Sequence, residues 1–258
     1  MRAPHLTAIG SGKGGTGKTM ISIGLAQALA QSGARVLLCD ADLGLANAGV
    51  QMGLGDSGDL PSFLAGLKPL DRSVAATDAG FDILAAPSGS GALANAGALA
   101  AENLCARLRT AGGYDHVLLD LSAGVDAAVM RFAACADTTL LVVTPDPASL
   151  TDAYAFAKLL QKATGTRLPQ LIINRAVSEA EAERTREAMA ATCRAFLRQV
   201  PQLLGIVPHD PRVRDAVCRQ LPVLARVPHG PAAKAVLALA GRLREVAQPF
   251  PMALAAAR

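Results

Sequence analysis

Ser11-Gly12-Lys13-Gly14-Gly15-Thr16-Gly17-Lys18-Thr19 fits the phosphate-binding template G-x-x-x-x-G-K-T, with an additional lysine directly after the first glycine. Apolar Leu6 to Ile9 precedes it, and a helical pattern from Met20 to Ala30 follows. Strand, loop and helix in that order are the context a phosphate loop requires. Glycines let backbone N–H groups turn inward, and the helix N-terminus adds partial positive charge where phosphates sit. In this template Lys18 meets the β- and γ-phosphates and the Thr19 hydroxyl helps hold Mg²⁺. A glycine-rich turn would not need this spacing in this context. The stretch implies a bound nucleoside triphosphate.

Working outward, the 258 residues suit one α/β domain over 1–248, with 249–258 as a short C-terminal tail. Hydrophobic residues make up 51% but aromatics only 3%, so the core must be aliphatic. A net charge of +4 without a Lys/Arg block argues against direct nucleic-acid binding. Cys39, Cys105, Cys135, Cys193 and Cys218 are an odd number with no C-x-x-C pair. That pattern speaks against a disulfide framework, a zinc site or an iron–sulfur cluster. Neither a signal peptide nor an apolar run of roughly 18–20 residues is found, so a soluble cytoplasmic protein is expected.

Strand and helix patterns alternate, which predicts a mostly parallel sheet with helices on both faces, the P-loop NTPase class. Strands are expected at Leu6–Ile9, Arg35–Cys39, Phe81–Ala85, His116–Asp120, Thr139–Thr144, Gln170–Asn174 and Leu203–Val207. Runs such as Leu140-Leu141-Val142-Val143 read as strands buried on both faces. Helices are expected at Lys18–Gln31, Ala98–Thr110, Pro147–Thr164, Glu179–Gln199, Pro211–Arg219 and Pro231–Val246, and a surface loop from Ser88 to Gly97. In open parallel sheets the ligand site lies beyond the strand C-termini. The phosphate loop, Asp40, Asp42, Asp120, Thr144 and Asn174 all fall at that edge.

Val117-Leu118-Leu119-Asp120 is an apolar strand ending in a carboxylate, as in a Walker B element. Asp120 can reach Mg²⁺ directly or through water, because magnesium needs few protein ligands. Asp120-Leu121-Ser122-Ala123-Gly124 gives D-x-x-x-G, whose glycine would let a backbone N–H approach the γ-phosphate. Asp40 and Asp42 are two apart in extended chain, so both carboxylates can face the site. One would support the metal's water shell and the other orient or deprotonate the attacking water. The plainer alternative is a turn after a strand, since Asp, Gly and Asn favour turns.

Lys13-Gly14-Gly15-Thr16-Gly17-Lys18-Thr19 resembles the deviant Walker A motif of the MinD/ParA family of P-loop ATPases, and the likeness runs from about Leu6 to Val246. Two stretches resemble its FlhG branch, also called FleN or YlxH. They are Asp40-Ala41-Asp42-Leu43-Gly44-Leu45-Ala46-Asn47 and Thr144-Pro145-Asp146-Pro147-Ala148-Ser149-Leu150-Thr151-Asp152-Ala153-Tyr154-Ala155. The resemblance implies ATP and ADP as ligands, Mg²⁺-dependent hydrolysis and an ATP-dependent homodimer. Lys13 would reach the partner subunit's phosphates. Asp42 would activate water, with Asp40 in support. Asn174 would hydrogen-bond adenine, and Pro208 and Asp210 would lie near the base. On residue chemistry alone Asn174 could equally end a strand, and Pro208 could be structural.

The FlhG branch further implies control of flagellar number or placement, with the GTPase FlhF, flagellar C-ring proteins or a FleQ-type regulator as partners. Residence would be cytoplasmic, with transient visits to the inner membrane or cell pole. Rival readings are a MinD-type division-site regulator, a ParA-type partition ATPase and a non-hydrolysing nucleotide-binding scaffold. Two departures stand out. Leu121 occupies a position where the branch usually carries Thr. The chain also begins too near its first strand to hold the Asp-Gln-Ala motif, so direct stimulation of FlhF is not expected. Val236, Leu239, Ala240, Leu243 and Val246 form a helical stripe beside Lys234, Arg242 and Arg244, read as a core-packing helix rather than a membrane anchor; strong autonomous membrane binding is not expected.

Overall fold

The apolar runs become strands whose residues are buried from end to end, because helices cover both sides of them. A computed structural model describes residues 3–42, 47–55, 57–86 and 97–247. Among these, eight strands form one sheet in the order β3-β4-β2-β5-β1-β6-β7-β8. They are β1 (His5–Ser11), β2 (Val36–Ala41), β3 (Ala75–Ala76), β4 (Asp82–Leu84), β5 (His116–Ala123), β6 (Thr138–Val143), β7 (Gln170–Ala176) and β8 (Leu203–Pro208). All neighbours pair in parallel except β3 with β4. β1 lies between β5 and β6, so the phosphate loop leaves the middle of the sheet.

One face is covered by α3 (Leu60–Leu64), α4 (Gly97–Thr110), α5 (Ala127–Cys135), α6 (Pro147–Thr164) and α7 (Glu179–Leu197). The other carries α1 (Lys18–Gln31), α2 (Ala48–Gln51), α8 (Pro211–Cys218), α9 (Val223–Arg226) and α10 (Pro231–Ala247). Both layers are filled mainly by Leu, Ile, Val and Ala, with Phe132 and Phe156 the largest fully buried side chains. In α10, Val236, Leu239, Ala240 and Leu243 are buried against α1 and β8, which makes it a core helix; Val246 is exposed. No helix among the described residues is long and apolar enough to cross a membrane.

Local chemistry sets several boundaries. Asp146 accepts the Ser149 N–H at 2.9 Å and Pro147 opens α6, as expected of an Asp-Pro start. α7 stops at Leu197, two residues before the expected Gln199, because Arg198 turns left-handed at φ 57°. β5 and β7 run past their expected ends, to Ala123 and Ala176. Three short helices, the nine-residue α5 and the edge strand β3 had no periodic signal of their own. Residues 43–46, most of the expected 88–97 loop and the tail 249–258 lie outside the described residues.

Candidate functional site

At the C-terminal edge of the sheet a cavity of about 860 Å³ opens above β1, β2, β5, β7 and β8. The phosphate-loop residues Gly14, Gly15, Thr16, Gly17, Lys18 and Thr19 form its floor. Asp40, Asp42, Asp120, Asn174, Pro208 and Asp210 also line it. Of the residues singled out in the sequence, Gly12, Lys13, Gly124 and Thr144 do not reach it.

Two glycines in the loop are fixed by close approach. Gly17 has φ 88°, and a Cβ there would overlap Asn174 Nδ2. A Cβ on Gly12 would overlap the Asp152 backbone of α6. The Asn174 amide donates from Nδ2 to Thr16 O at 2.7 Å and accepts the Arg175 N–H at Oδ1 at 3.0 Å. An amide offers two donors and two lone pairs, so half of its capacity remains for a ligand. Asn174 therefore braces the phosphate loop as well as facing the cavity.

Behind the loop, Lys18 Nζ donates to Asp120 Oδ1 at 2.9 Å, and Ser22 Oγ donates to the same oxygen at 2.8 Å. Both charged groups are nearly enclosed, and the pair is sustained because each has a partner in place of water. Ser22 escaped sequence reading, although its position one helical turn after Lys18 puts it on the same face. Asp120 Oδ2 makes no hydrogen bond among the described residues, and it is the oxygen available to a metal. Leu121, next along the strand, is fully buried in the opposite layer. Its side chain fills core rather than the site, so a hydroxyl there would point away from the cavity.

Asp40 sits opposite Asp120 in the β2–β5 register. Its Oδ1 accepts the Asp42 N–H at 3.1 Å, and its Oδ2 accepts those of Asn47 and Ala48 at 2.7 and 2.8 Å. Burial, reinforced by the Asp120 charge, pushes its carboxyl up to about 7, against the pull of those three N–H donors. Asp40 thereby ties the end of β2 to the start of α2, and Asp42 is less buried and lines the cavity. Gly124 takes a left-handed φ of 108° and donates its N–H to Ser11 O at 2.9 Å. That amide is committed to β1 here rather than open to a phosphate.

Lys13 points the other way. Its Nζ lies 3.3 Å from Asp146 Oδ1, on the rim of a second groove shared with Thr144, Pro145, Arg175, Val177 and Glu181. Asp146 also accepts the Thr144 hydroxyl at 2.5 Å. That bond first, then the Ser149 N–H and Lys13, holds its carboxyl below the usual range. Asp210 faces the main cavity, but Arg212 grips both its oxygens, at 2.8 and 3.0 Å. It also accepts the Arg212 N–H at the start of α8, so its lone pairs are largely spent on the fold.

The arrangement has an anion-binding loop at a helix N-terminus, a buried Lys–Asp pair and a carboxylate facing the cavity. It is matched by known proteins. Residues 7–223 match the family model described as the CobQ/CobB/MinD/ParA nucleotide binding domain. The antiactivator FleN of Pseudomonas aeruginosa is 34% identical over 244 residues, covering 94% of this chain and 87% of FleN. The flagellum site-determining protein YlxH of Helicobacter pylori is 35% identical over 156 residues, 60% of this chain and 53% of YlxH. Among solved structures, the septum site-determining protein MinD of Pyrococcus horikoshii, complexed with Mg-ADP, superposes with a TM-score of 0.80 at 29% identity. That match covers 95% of this chain and 97% of the other. Site, fold and relatives agree, and the chain belongs to the CobQ/CobB/MinD/ParA family of nucleotide-binding domains, with its FleN and YlxH members among its relatives.

Proposed function

We propose that this protein is an ATP-hydrolysing, nucleotide-dependent dimerisation switch of the FlhG type that regulates flagellar number or placement. The observation that carries the switch is the direction of Lys13. This lysine stands beside its own phosphate loop yet lines the outer groove, where it is half-exposed and loosely held by Asp146. A cation placed there serves a second copy's phosphates better than its own. The flagellar role rests on the likeness to FleN over nearly the whole chain.

In this reading the loop N–H groups and Lys18 bind the triphosphate, and Lys18 exchanges Asp120 for phosphate oxygens. Thr19 and the released Asp120 would hold Mg²⁺, which supplies charge neutralisation at the β- and γ-phosphates. Asp42 accepts a proton from water as its oxygen bonds to the γ-phosphorus. The bond to the β–γ bridging oxygen breaks, giving ADP and phosphate. Asp40 fixes the turn that carries Asp42. Lys13 of each subunit neutralises charge on the other's phosphates, an electrostatic contribution to transfer. The Lys13–Asp146 contact must open first, so the dimer forms only where that exchange is favourable.

ATP would favour the dimer that engages FlhF, C-ring proteins or a FleQ-type regulator, and hydrolysis would return monomers to the cytoplasm. The test is a flagellar count by electron microscopy in a deletion strain and its parent. Altered number or placement with normal division supports the reading. Minicells with unchanged flagella would replace it with a division-site role.

A further inference from the structure

Arg175 is out of place for a strand residue. Three non-glycine residues take positive φ among those described, and two of them, Arg198 and Gln220, close helices. Arg175, at φ 63°, lies inside β7. There the pairing with β8 slips, Asn174 facing Val207 and Ala176 facing Pro208, so Arg175 is the extra residue of a bulge. Bulges re-aim side chains and cluster beside active sites, and a non-glycine residue is held left-handed only where its surroundings enforce it. The enforcing bond comes from Asn174, whose Oδ1 accepts the Arg175 N–H while its Nδ2 holds Thr16 O. One amide thus ties the arginine's backbone to the phosphate loop.

The result is an exposed guanidinium beside the loop. Arg175 lines both the nucleotide cavity and the outer groove, and its Nε lies 4.0 Å from the point where a Cβ on Gly17 would stand. It makes no salt bridge among the described residues, whereas Asp210 is already occupied by Arg212. Pro208, Val213 and Val217 provide an apolar lining elsewhere in the cavity. A flat, electron-rich ring fits between such a lining and a planar cation, which attracts an aromatic face most strongly where water is excluded.

We propose that Arg175 is a nucleotide-binding residue whose guanidinium stacks on the purine ring of the bound nucleotide. This rests on the reading of the cavity as a nucleotide site. Because the base is common to ATP and ADP, Arg175 sets affinity for both alike and leaves the choice between them to the phosphate end.

Calorimetric titration of wild type, Arg175→Ala and Arg175→Lys with ATP, ADP and inorganic tripolyphosphate tests this. Arg175→Gly is included because glycine accepts a φ of 63° without strain and preserves the bulge. Expected is about tenfold weaker ATP and ADP binding for Ala and Gly, with partial recovery in Lys. Tripolyphosphate, which has no base, should bind all variants as it binds wild type. Unchanged ATP affinity in Ala and Gly overturns the proposal, as does an equal loss for tripolyphosphate, which would make the contact one to phosphate. Wild type that fails to bind ATP would instead sink the nucleotide-site reading.

Discussion

At the scale of single residues the site is organised by enclosed charge. Lys18 and Asp120 are both largely removed from water and satisfy one another at 2.9 Å. Removing one member of such a pair leaves the other uncompensated, at a cost of about 3–5 kcal/mol. Lys18→Ala should therefore lose nucleotide binding and also unfold at lower urea. Lys18→Met with Asp120→Leu should recover most of the stability while remaining unable to bind; calorimetry and urea melts of the cycle check both. A second buried titratable group sits at the far end of the sheet. His116 at the start of β5 has a buried Nδ1 without a hydrogen-bond partner among the described residues, and burial, then His5, holds its pKa below the usual 6.5. The unfolded chain then binds a proton that the folded one refuses. Stability from His116 is complete above pH 6.5 and is lost as pH falls through the folded value. Thermal melts between pH 5 and 7 should show that loss, and His116→Leu should flatten the slope.

At the scale of elements, function depends on how strands end. Asp210 shows the cost of an end: it caps α8 and grips Arg212 while enclosed at the cavity wall. Asp210→Ala should destabilise the protein by about 1–2 kcal/mol through the lost cap, measurable as a lower urea midpoint. Asp210→Asn, which can still accept the Arg212 N–H, should lose less. Strand ends are also where sequence reading succeeded and stopped. Helices α1 and α6 were legible to the residue because glycine spacing before one and the Asp-Pro start of the other are local signals. The carboxylates Asp40 and Asp120 were legible as strand-end residues, but the clamp that Asp40 places on Asn47 and Ala48 was not. That contact joins residues seven and eight apart in sequence, which no local pattern signals. Arg175 was invisible for a related reason. A bulge is a mismatch between two strands, and β8 lies about thirty residues further along the chain. α5 went unread because its Ala-rich composition blurs any period, although Asp126 caps it at Val129.

At the scale of the molecule, the proposed function gives the two cavities separate tasks: one would receive a nucleotide and the other presents Lys13 outward. In this reading the subunit is half of a catalytic unit. Asp42→Ala should accumulate an ATP-bound dimer, whereas Lys13→Ala should remain monomeric with ATP; analytical ultracentrifugation with and without ATP reads both. A Lys13→Ala protein that dimerises normally would remove that lysine from the interface. Asp146→Ala should dimerise at lower ATP, because it frees Lys13 and leaves the nucleotide cavity intact.

Helix α1 has one further consequence. It starts at Lys18 behind Gly17, an N-cap without a side chain, so among the described residues its leading amides have no capping side chain. An anion bound there completes the helix, and what binds only the folded state stabilises it in proportion to its abundance. On the proposed function, the protein's resistance to unfolding and proteolysis would therefore follow how much nucleotide, ATP or ADP alike, surrounds it.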